Sequence, residues 1–452
     1  MHDESTRAYV EAVRGLLGRG GFERTGNPQE AKRFRVTHIR DFLDRAGRPE
    51  ERRTVHVAGS KGKGSTAAMV ESILRAAGAH TLLLTSPDVH QARERVRIDG
   101  EPLEHATFAR LAQTLLDDEV TEGWSYFELV TVLGWLAGAE AGCDWQVLEV
   151  GLGGRLDTTN VIARKDVAMI LPIDLEHTAI LGDTIPEVAA EKAGILTGPC
   201  EAVVAPLRES AIGVVRTKAA EAGARLHEVA DECALRVTGQ SLDGQTLDLR
   251  TPLRTYRRLQ LPLIGRHQAE NAAAAVLAAE LAWASTGEEL PASAVPQGLA
   301  GVVWPGRFDV LRRRPLIVAD ALHTPLAATR FRETVDALAL RRPRVLVTGL
   351  LGGRDASALA QALLGPDGEA MTTVVVTAPS SQRAADLGEV EGAFRAEGAP
   401  VQRAPDVATA VDLAQDLAGE DGTVLVTGSL YTVSEAREHI LGVTGDRAYG
   451  LR

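Results

Sequence analysis

The chain has 452 residues, of which 45% are hydrophobic and 24% are charged, a composition typical of a soluble protein with two or three domains. Its formal net charge of -12 argues against a nucleic-acid partner, because a polyanion would be repelled. Three cysteines without CxxC spacing, and no run of about 18 apolar residues, argue against a disulfide framework, a zinc site and a membrane span, so we expect a cytoplasmic protein.

Helical patterns dominate about the first 50 residues, with a turn predicted at Gly26-Asn27-Pro28. The next segment, VHVAGSKGKGST at residues 55–66, runs from a β-branched strand into a glycine-rich turn and then a helix. This order is typical of polyphosphate binding, because glycines let the backbone come close and the new helix directs its positive end at the anion. Lys63 can reach the outer phosphates, and Ser65 or Thr66 can supply a hydroxyl to Mg²⁺. We therefore predict a nucleotide site formed by Gly59, Gly62, Lys63, Gly64, Ser65 and Thr66.

Strands and helices alternate beyond this loop, which is typical of a mainly parallel sheet covered on both faces. The predicted strands are Thr81–Leu84, Trp145–Val150, Val167–Ile173 and Ala202–Pro206, and predicted helices between them include Phe127–Ala141 and Pro186–Ala193. Between about Leu226 and Leu261 the pattern changes to short alternating runs with turn signals. That change predicts a small antiparallel addition to the first domain.

An alanine-rich helix is predicted at Ala269–Ala284 and a linker at Pro291–Pro305, after which the α/β alternation starts again. The strands predicted in this second part are Leu316–Ala319, Val345–Thr348, Thr373–Thr377 and Val424–Thr427. We predict an α/β protein with a P-loop-containing, mainly parallel sheet domain at residues 1–298, including the antiparallel addition near 226–261. A smaller Rossmann-like α/β domain at residues 299–452 follows, and a ligand between the two domains is expected.

Polar residues at predicted strand ends are candidates for metal binding. Glu149 ends a strand and opens into a glycine turn, where a carboxylate is a natural partner for Mg²⁺, although such turns are also common as plain structure. Asp157 is a second candidate that equally fits a turn cap. His177 lies beside carboxylates after another strand and fits either a metal ligand or an ordinary hydrogen-bonded histidine. Lys192, near a helix end, complements the helix dipole and on its pattern alone does nothing more.

Four residues of the later segments are weaker candidates for nucleotide contacts. Asn271 lies on the first turns of the alanine-rich helix, where its amide could bind an adenine edge. Arg307 follows the linker and could reach the γ-phosphate from the second domain. Asp320 and His323 follow a strand of that domain. For each of them alone, an ordinary structural role is the better interpretation.

Together these segments resemble the folylpolyglutamate synthase/dihydrofolate synthase family, within the superfamily of Mur-type ATP-dependent amide ligases. The resemblance runs from about Thr54 to Arg437. Its motifs are HVAGSKGKGST, TSP at 85–87, RERVRIDG at 93–100, YFELVT at 126–131, EVGLGGRLDTTN at 149–160, EHTAILGDT at 176–184, EKAGI at 191–195, GRHQAENA at 265–272, PGRFDV at 305–310, DALHTP at 320–325 and VTGSLYTVSEAR at 426–437.

The resemblance implies a mechanism in which ATP phosphorylates a substrate carboxylate and the amine of L-glutamate attacks the acyl phosphate. The implied substrates are a folate or dihydropteroate, glutamate and ATP, and we expect a monomer because no long apolar seam is visible. In the resembled family, the positions of Ser65, Glu149 and His177 bind a first Mg²⁺. Lys192 matches a lysine that is carbamylated and holds a second one. The implied catalytic residues are Lys63, Lys192, His177 and Arg307, and the implied ATP or phosphate contacts from later segments are Asn271, Arg307, Asp320 and His323.

The sequence departs from the family pattern at several positions. Lys61 stands where asparagine is usual, Asp88 replaces a histidine, and Glu176 replaces an aspartate. Leu322 is bulky where the family has a small residue, and Arg354 stands where lysine is common. These departures leave open an amide ligase of a specialised pathway with another acid or amine. A nucleotide-binding regulator without turnover is a third interpretation, but it predicts loss of the metal and lysine positions, and those are filled.

Overall fold

A computed structural model of the chain describes residues 3–21, 36–365 and 371–451. The turn predicted at Gly26-Asn27-Pro28 lies outside these ranges. Within them the strands are β1 (Arg53–Ala58), β2 (Thr81–Leu84), β3 (Val96–Ile98), β4 (Glu101–Pro102), β5 (Trp145–Glu149), β6 (Val167–Ile170), β7 (Glu201–Val204), β8 (Arg225–Glu228), β9 (Ala234–Ser241), β10 (Gly244–Arg250), β11 (Thr255–Leu261), β12 (Asp309–Arg313), β13 (Leu316–Ala319), β14 (Arg344–Thr348), β15 (Thr373–Val376), β16 (Val401–Arg403) and β17 (Thr423–Thr427).

The helices of the same ranges are α1 (Glu4–Gly18), α2 (Thr37–Arg45), α3 (Lys63–Ala76), α4 (His105–Asp117), α5 (Tyr126–Glu140), α6 (Thr178–Leu181), α7 (Ile185–Ala193), α8 (Glu209–Ala222), α9 (Val229–Glu232), α10 (Arg266–Ala284), α11 (Ala294–Ala300), α12 (Pro325–Ala337), α13 (Ala356–Leu364), α14 (Leu387–Ala396), α15 (Val407–Ala418) and α16 (Leu430–Leu441). None of these described helices is long and apolar enough to cross a membrane.

The first domain is built on an eight-stranded sheet in the order β4-β3-β2-β5-β1-β6-β7-β8. The strands from β2 to β8 in this order are parallel, and β3 pairs antiparallel with β2 and β4 at one edge. Alternate residues of the central strands face opposite sides, so Val55 and Val57 pack against α3 and α10, while Ala168 and Ile170 pack under α7 and α8. The predicted parallel sheet covered on both faces is confirmed.

Two boundaries of the predicted elements need correction. The strand expected to reach Ile173 loses its ladder partners after Ile170, although the chain continues buried. The antiparallel addition starts later than expected, because residues 225–228 form β8 and extend the main sheet parallel to β7. The separate three-stranded sheet has the order β11-β10-β9 and begins at Ala234.

The predicted linker at Pro291–Pro305 is wrong over much of its length. Residues 294–300 form α11, which packs so closely on α3 that a Cβ atom at Gly298 would lie 2.5 Å from Cα of Ile73. The hydroxyl of Ser72 also donates a hydrogen bond of 2.7 Å to the carbonyl of Gly298. Leu299 and Val302 are buried in the first domain's core, just past the domain boundary predicted at residue 298.

The second domain is a six-stranded sheet in the order β12-β13-β17-β14-β15-β16, with β12 antiparallel and the rest parallel. Helices α12 to α16 cover its two faces. This arrangement confirms a second α/β domain.

The C-terminal segment returns from the second domain to the first. Asp446 is 2% exposed and accepts hydrogen bonds from the hydroxyl of Tyr9 at 3.0 Å and from the N–H of Ala92 at 2.9 Å. Nearby, His90 of the first domain lies 3.3 Å from the carboxylate of Glu438 on α16. The two domains are thus joined at this side as well as through the connecting segment.

Candidate active site

The glycine loop joins β1 to α3 and places a helix N-terminus at the carboxyl edge of the main sheet. Gly62 precedes α3 with a φ of 83°, a left-handed conformation that glycine adopts at little cost. A Cβ atom at Gly62 would lie 2.7 Å from Oδ1 of Asn271, and one at Gly64 would lie 2.8 Å from the indole of Trp304. Both positions therefore require glycine, because neighbouring side chains approach the loop backbone closely.

The start of α3 carries the predicted phosphate and metal contacts. Nζ of Lys63 lies 3.1 Å from the carbonyl oxygen of Gly59, so its ammonium group folds back over the loop. Ser65 is buried and accepts a long hydrogen bond of 3.5 Å from Gln268. The hydroxyl of Thr66 is buried without a hydrogen-bond partner in the part of the chain that the structure describes. Because the residue before the helix is a glycine, no side chain there caps the first N–H groups, which suits an anion.

Glu149 ends β5 beside this loop and is only 6% exposed. Its Oε2 accepts a hydrogen bond of 2.9 Å from the N–H of Ser86. Burial raises the pKa of Glu149, whereas Lys63, the Ser86 N–H and Arg307 counteract that rise. A buried carboxylate at a phosphate-binding helix start is a suitable ligand for a hard cation such as Mg²⁺.

Lys192 reaches from α7 toward the same loop and is almost completely buried. Its Nζ donates hydrogen bonds of 3.0 Å to the carbonyl of Gly59 and 2.7 Å to Glu176. Burial lowers the pKa of Lys192 to about 8, although Glu176 opposes the shift. Burial alone would raise the pKa of Glu176, but the ammonium groups of Lys192, Lys63 and Lys61 lower it to about 2. Glu176 is therefore ionised and Lys192 has an accessible neutral form.

His177 precedes the short helix α6 with a φ of 48°, a left-handed conformation that is uncommon outside glycine. Burial lowers the pKa of His177, Glu176 opposes that shift, and Lys63 reinforces it. At neutral pH the ring is therefore the neutral imidazole, which is the form that binds metals.

The second domain contributes Arg307, Asp320 and His323 to this region. The guanidinium of Arg307 is close enough to Glu149 of the first domain and to Asp320 of the second to lower the pKa of each. Burial nevertheless raises the pKa of Asp320 to about 6, and this carboxylate accepts a 2.9 Å hydrogen bond from the N–H of Phe308. Burial lowers the pKa of His323 to about 3, so this histidine is neutral.

Three of the residues predicted for the site, Glu149, His177 and Lys192, lie near enough to Lys63 for its charge to affect the pKa of each. Within the described ranges, no three His, Cys, Asp or Glu side chains are grouped to hold a metal ion by themselves. Magnesium bound to a triphosphate needs only one or two protein carboxylates, since phosphate oxygens and water complete its octahedron. The oxygen donors Ser65 and Glu149 fit that ion.

Asp157, the second carboxylate considered for a metal, has its oxygens occupied by a turn. It accepts hydrogen bonds from the hydroxyl of Thr159 at 2.6 Å, from the N–H of Thr159 at 3.0 Å and from the N–H of Leu152 at 2.8 Å. These contacts are those of a turn cap, the other interpretation of this residue.

Three residues of the site were not assigned from the sequence: Ser86, Gln268 and Trp304. Ser86 acts through its backbone, so no side-chain pattern could indicate it. Gln268 stands three residues before Asn271 and hydrogen-bonds to it at 3.2 Å, a spacing that places both on one helix face. Trp304 contacts the glycine loop from a segment interpreted as a linker, and no pattern in the sequence indicated that contact.

The chain is similar to known proteins in both sequence and fold. Residues 57–279 match the Mur ligase middle domain, and residues 306–430 match the Mur ligase, glutamate ligase domain. The dihydrofolate synthase/folylpolyglutamate synthase of Mycobacterium tuberculosis is 32% identical over 439 residues, with 89% of each chain covered. A structure of Mycobacterium tuberculosis folylpolyglutamate synthase complexed with ADP superimposes with a TM-score of 0.84 at 30% identity, covering 96% of this chain and 98% of that one.

A longer archaeal protein is also similar. The probable bifunctional folylpolyglutamate synthase/dihydropteroate synthase of Haloferax volcanii is 35% identical over 436 residues, which cover 90% of this chain. The match spans about half of that relative, 49% of its length.

Proposed function

The chain belongs to the folylpolyglutamate synthase/dihydrofolate synthase family, and from this premise we propose that it is an ATP-dependent ligase that adds L-glutamate to a folate, to dihydropteroate, or to both through an acyl phosphate. The observation that carries the proposal is the convergence of Lys63, Glu149 and Lys192 of the first domain with Arg307 of the second. ATP is the proposed co-substrate, because the glycine loop and the open start of α3 suit a polyphosphate.

The proposed reaction has two group transfers. A carboxylate oxygen of the acid attacks the γ-phosphorus of ATP, the bond from that phosphorus to the ADP oxygen breaks, and an acyl phosphate forms. The neutral amine of glutamate then attacks the acyl carbon, phosphate leaves with the electrons of the C–O bond, and the nitrogen loses a proton. In both steps the protein acts mainly by positioning the reactants and by offsetting their negative charge. The N-terminus of α3 and Lys63 do so from the first domain, and Arg307 does so from the second.

Magnesium, when bound, neutralises phosphate charge, and we propose that Ser65, Glu149 and His177 hold it. A second ion would be held by carbamylated Lys192. Carbon dioxide adds to the neutral form of a lysine, which then loses a proton. The lowered pKa of Lys192 supports this modification, because an amine that titrates near pH 8 is partly neutral under physiological conditions.

The departure at Leu322 does not favour the alternative of a specialised ligase. Its side chain is 3% exposed and packs in the second domain's core with Phe308 and Phe331. The bulk of this leucine is therefore accommodated by the core, and folate and glutamate remain the proposed substrate classes. Cytoplasmic action is supported by three cysteines that form no disulfide, and a monomeric state stays a prediction.

The proposal is tested by coupled measurement of ADP release with tetrahydrofolate or dihydropteroate, each with L-glutamate, ATP and Mg²⁺. We expect sustained ADP release with at least one pterin and a product heavier by one glutamate in mass spectrometry. A protein that binds ATP but releases no ADP with either pterin would contradict the folate assignment. Omitting glutamate is the control for hydrolysis without ligation.

A further inference from the structure

The turn that carries Arg307 has an uncommon backbone conformation. Gly306 and Phe308, on either side of Arg307, have φ angles of 75° and 44°, in the left-handed region that a residue such as phenylalanine rarely adopts. Two carboxylates fix this turn, because the N–H of Gly306 donates to Asp309 and the N–H of Phe308 donates to Asp320, each at 2.9 Å. The position of residues 306–308, the arginine turn, therefore depends on these two side chains.

Asp309 is itself held by Arg437 of α16. The two side chains form a close ion pair through Nη1 of Arg437 and the same carboxylate oxygen that accepts the hydrogen bond from Gly306. Only 11% of the Arg437 side chain and 22% of the Asp309 side chain are exposed, so salt and solvent screen this pair weakly. The ion pair therefore ties the arginine turn to α16.

The same guanidinium also contacts the first domain. Nε of Arg437 donates a hydrogen bond of 3.1 Å to Nε2 of His90, which lies in the loop between β2 and β3. These partners assign the ring proton to Nδ1, which lies 3.3 Å from Glu438. The hydroxyl of Ser434 donates to the carbonyl of Val89 at 2.6 Å. Helix α16 is thus attached to this loop at neighbouring points.

The loop between β2 and β3 also supports the carboxylate proposed to bind magnesium. The N–H of Ser86 in this loop donates to Oε2 of Glu149 at 2.9 Å. The guanidinium of Arg437 therefore lies between two parts of the site that the proposed reaction brings together, the arginine turn of the second domain and the loop beside Glu149. Because a guanidinium has its N–H donors in a rigid plane, it fixes the direction as well as the distance between its partners.

We propose that Arg437 is a positioning residue for the ligase reaction and sets Arg307 against the magnesium-binding side of the site. The inference rests on the proposed function and adds a residue that acts without contacting the substrates. Arg437 acts through Asp309 and the arginine turn on one side and through His90 on the other. Without Arg437, Arg307 is still present but is displaced from the phosphates, so a loss of Arg437 should have little effect once Arg307 is absent.

The test is a double-mutant cycle between Arg437→Ala and Arg307→Ala, with kcat measured by ADP release. Arg437→Ala is expected to lower kcat roughly ten- to a hundredfold, as a displaced catalytic group does, and to change KM for the pterin by less than about twofold. In the Arg307→Ala background the same substitution should lower kcat by less than about twofold. Arg437→Lys keeps a cation beside Asp309 and should recover most of the loss. Arg395→Ala, an exposed arginine of α14 that pairs with Glu391, is the matched control and should leave kcat unchanged.

A second measurement does not depend on turnover. The rise in melting temperature caused by Mg²⁺ and a non-hydrolysable ATP analogue should be smaller in Arg437→Ala, and the double variant should show no smaller rise than Arg307→Ala. Asp309→Asn removes the other half of the ion pair and should give the same pattern, which keeps the test available if Arg437→Ala does not fold.

Two results would overturn the positioning role. One is an equal fold-loss of kcat from Arg437→Ala with and without Arg307, and the other is a lower melting temperature of the free protein with unchanged kcat. Absence of ADP release by the unchanged protein with either pterin would refute the proposed function instead. The nucleotide-dependent melting temperatures would still decide on Arg437.

Discussion

Lys192 illustrates how one residue's surroundings determine its chemistry. It and Lys165 are both buried, and burial lowers the pKa of each to about 8. Lys165 donates to two neutral oxygens, on Asn160 at 3.0 Å and on Thr197 at 2.8 Å. Lys192 instead lies against the glycine loop and Glu176. The two lysines share burial and basicity but differ in what lies next to them.

Lys192→Ala is therefore predicted to lower kcat by at least about a hundredfold, because the group proposed to hold the second metal is lost. Short carboxylates such as acetate should restore part of the activity by entering the vacated space. Lys165→Ala is the matched control: it should lose stability, by roughly 1–3 kcal/mol, and acetate should restore no activity. Steady-state ADP release is measured for both variants with and without acetate. Full activity in Lys192→Ala would remove this residue from the mechanism.

At the scale of elements, α11 shows that a segment rich in proline and glycine can be part of a core. Gly298→Ala is predicted to destabilise the protein by about 1–3 kcal/mol, because the added methyl group would meet the backbone of α3 at Ile73. Gly213→Ala on α8 is its control, since nothing lies within 4 Å of that position and alanine favours a helix by up to about 1 kcal/mol. Chemical denaturation gives both values. Equal stability of the two variants would show that α11 does not pack as described.

The C-terminal segment gives a pH-dependent prediction. Burial raises the pKa of Asp446 from 3.8 to about 6, with the hydrogen bonds from Ala92 and Tyr9 opposing the rise. The folded state therefore favours the protonated acid. The stabilisation that protonated Asp446 gives the folded state is complete below about pH 4 and is lost as pH rises through 6. The free energy of unfolding changes by on the order of 3 kcal/mol.

Asp446→Asn keeps a neutral side chain at every pH. We expect its unfolding free energy to match that of the unchanged protein near pH 4 and to exceed it at pH 8, because only the aspartate becomes a buried charge. Denaturation curves at the two pH values test this, and the difference between proteins cancels the titration of all other groups. A constant difference across the range would show that folding does not raise the pKa of Asp446.

Prediction from the sequence succeeded for elements whose signals are local. The strand ending at Glu149 and the glycine loop are each defined by a few adjacent residues, and parallel strands bring their carboxyl ends to one edge. It failed where distant segments decide the outcome. Some contacts of the site join residues that are far apart in the chain, and the periodicity of the sequence does not predict them. They are the contacts of the Ser86 N–H with Glu149, of Trp304 with the glycine loop and of Lys61 with Glu176.

At the scale of the whole molecule, the proposed function requires the two domains to act on one ligand. Arg307→Ala is predicted to fold normally, because the Arg307 side chain is only half-buried and belongs to neither domain's hydrophobic core. The rise in melting temperature caused by Mg²⁺ and an ATP analogue should fall by more than half, since the second domain loses its cation beside Glu149. Arg314→Ala, an exposed arginine paired with Asp421, should keep the full rise. Equal shifts in both variants would show that the second domain does not bind the nucleotide through Arg307.

A crystal structure with Mg²⁺ and a non-hydrolysable ATP analogue tests the central claim most directly. We predict the triphosphate at the start of α3, with Mg²⁺ bound by Ser65 and Glu149 and with Arg307 of the second domain within contact distance of the phosphates. A nucleotide bound elsewhere, or Ser65, Glu149 and His177 standing apart from its phosphates, would contradict it.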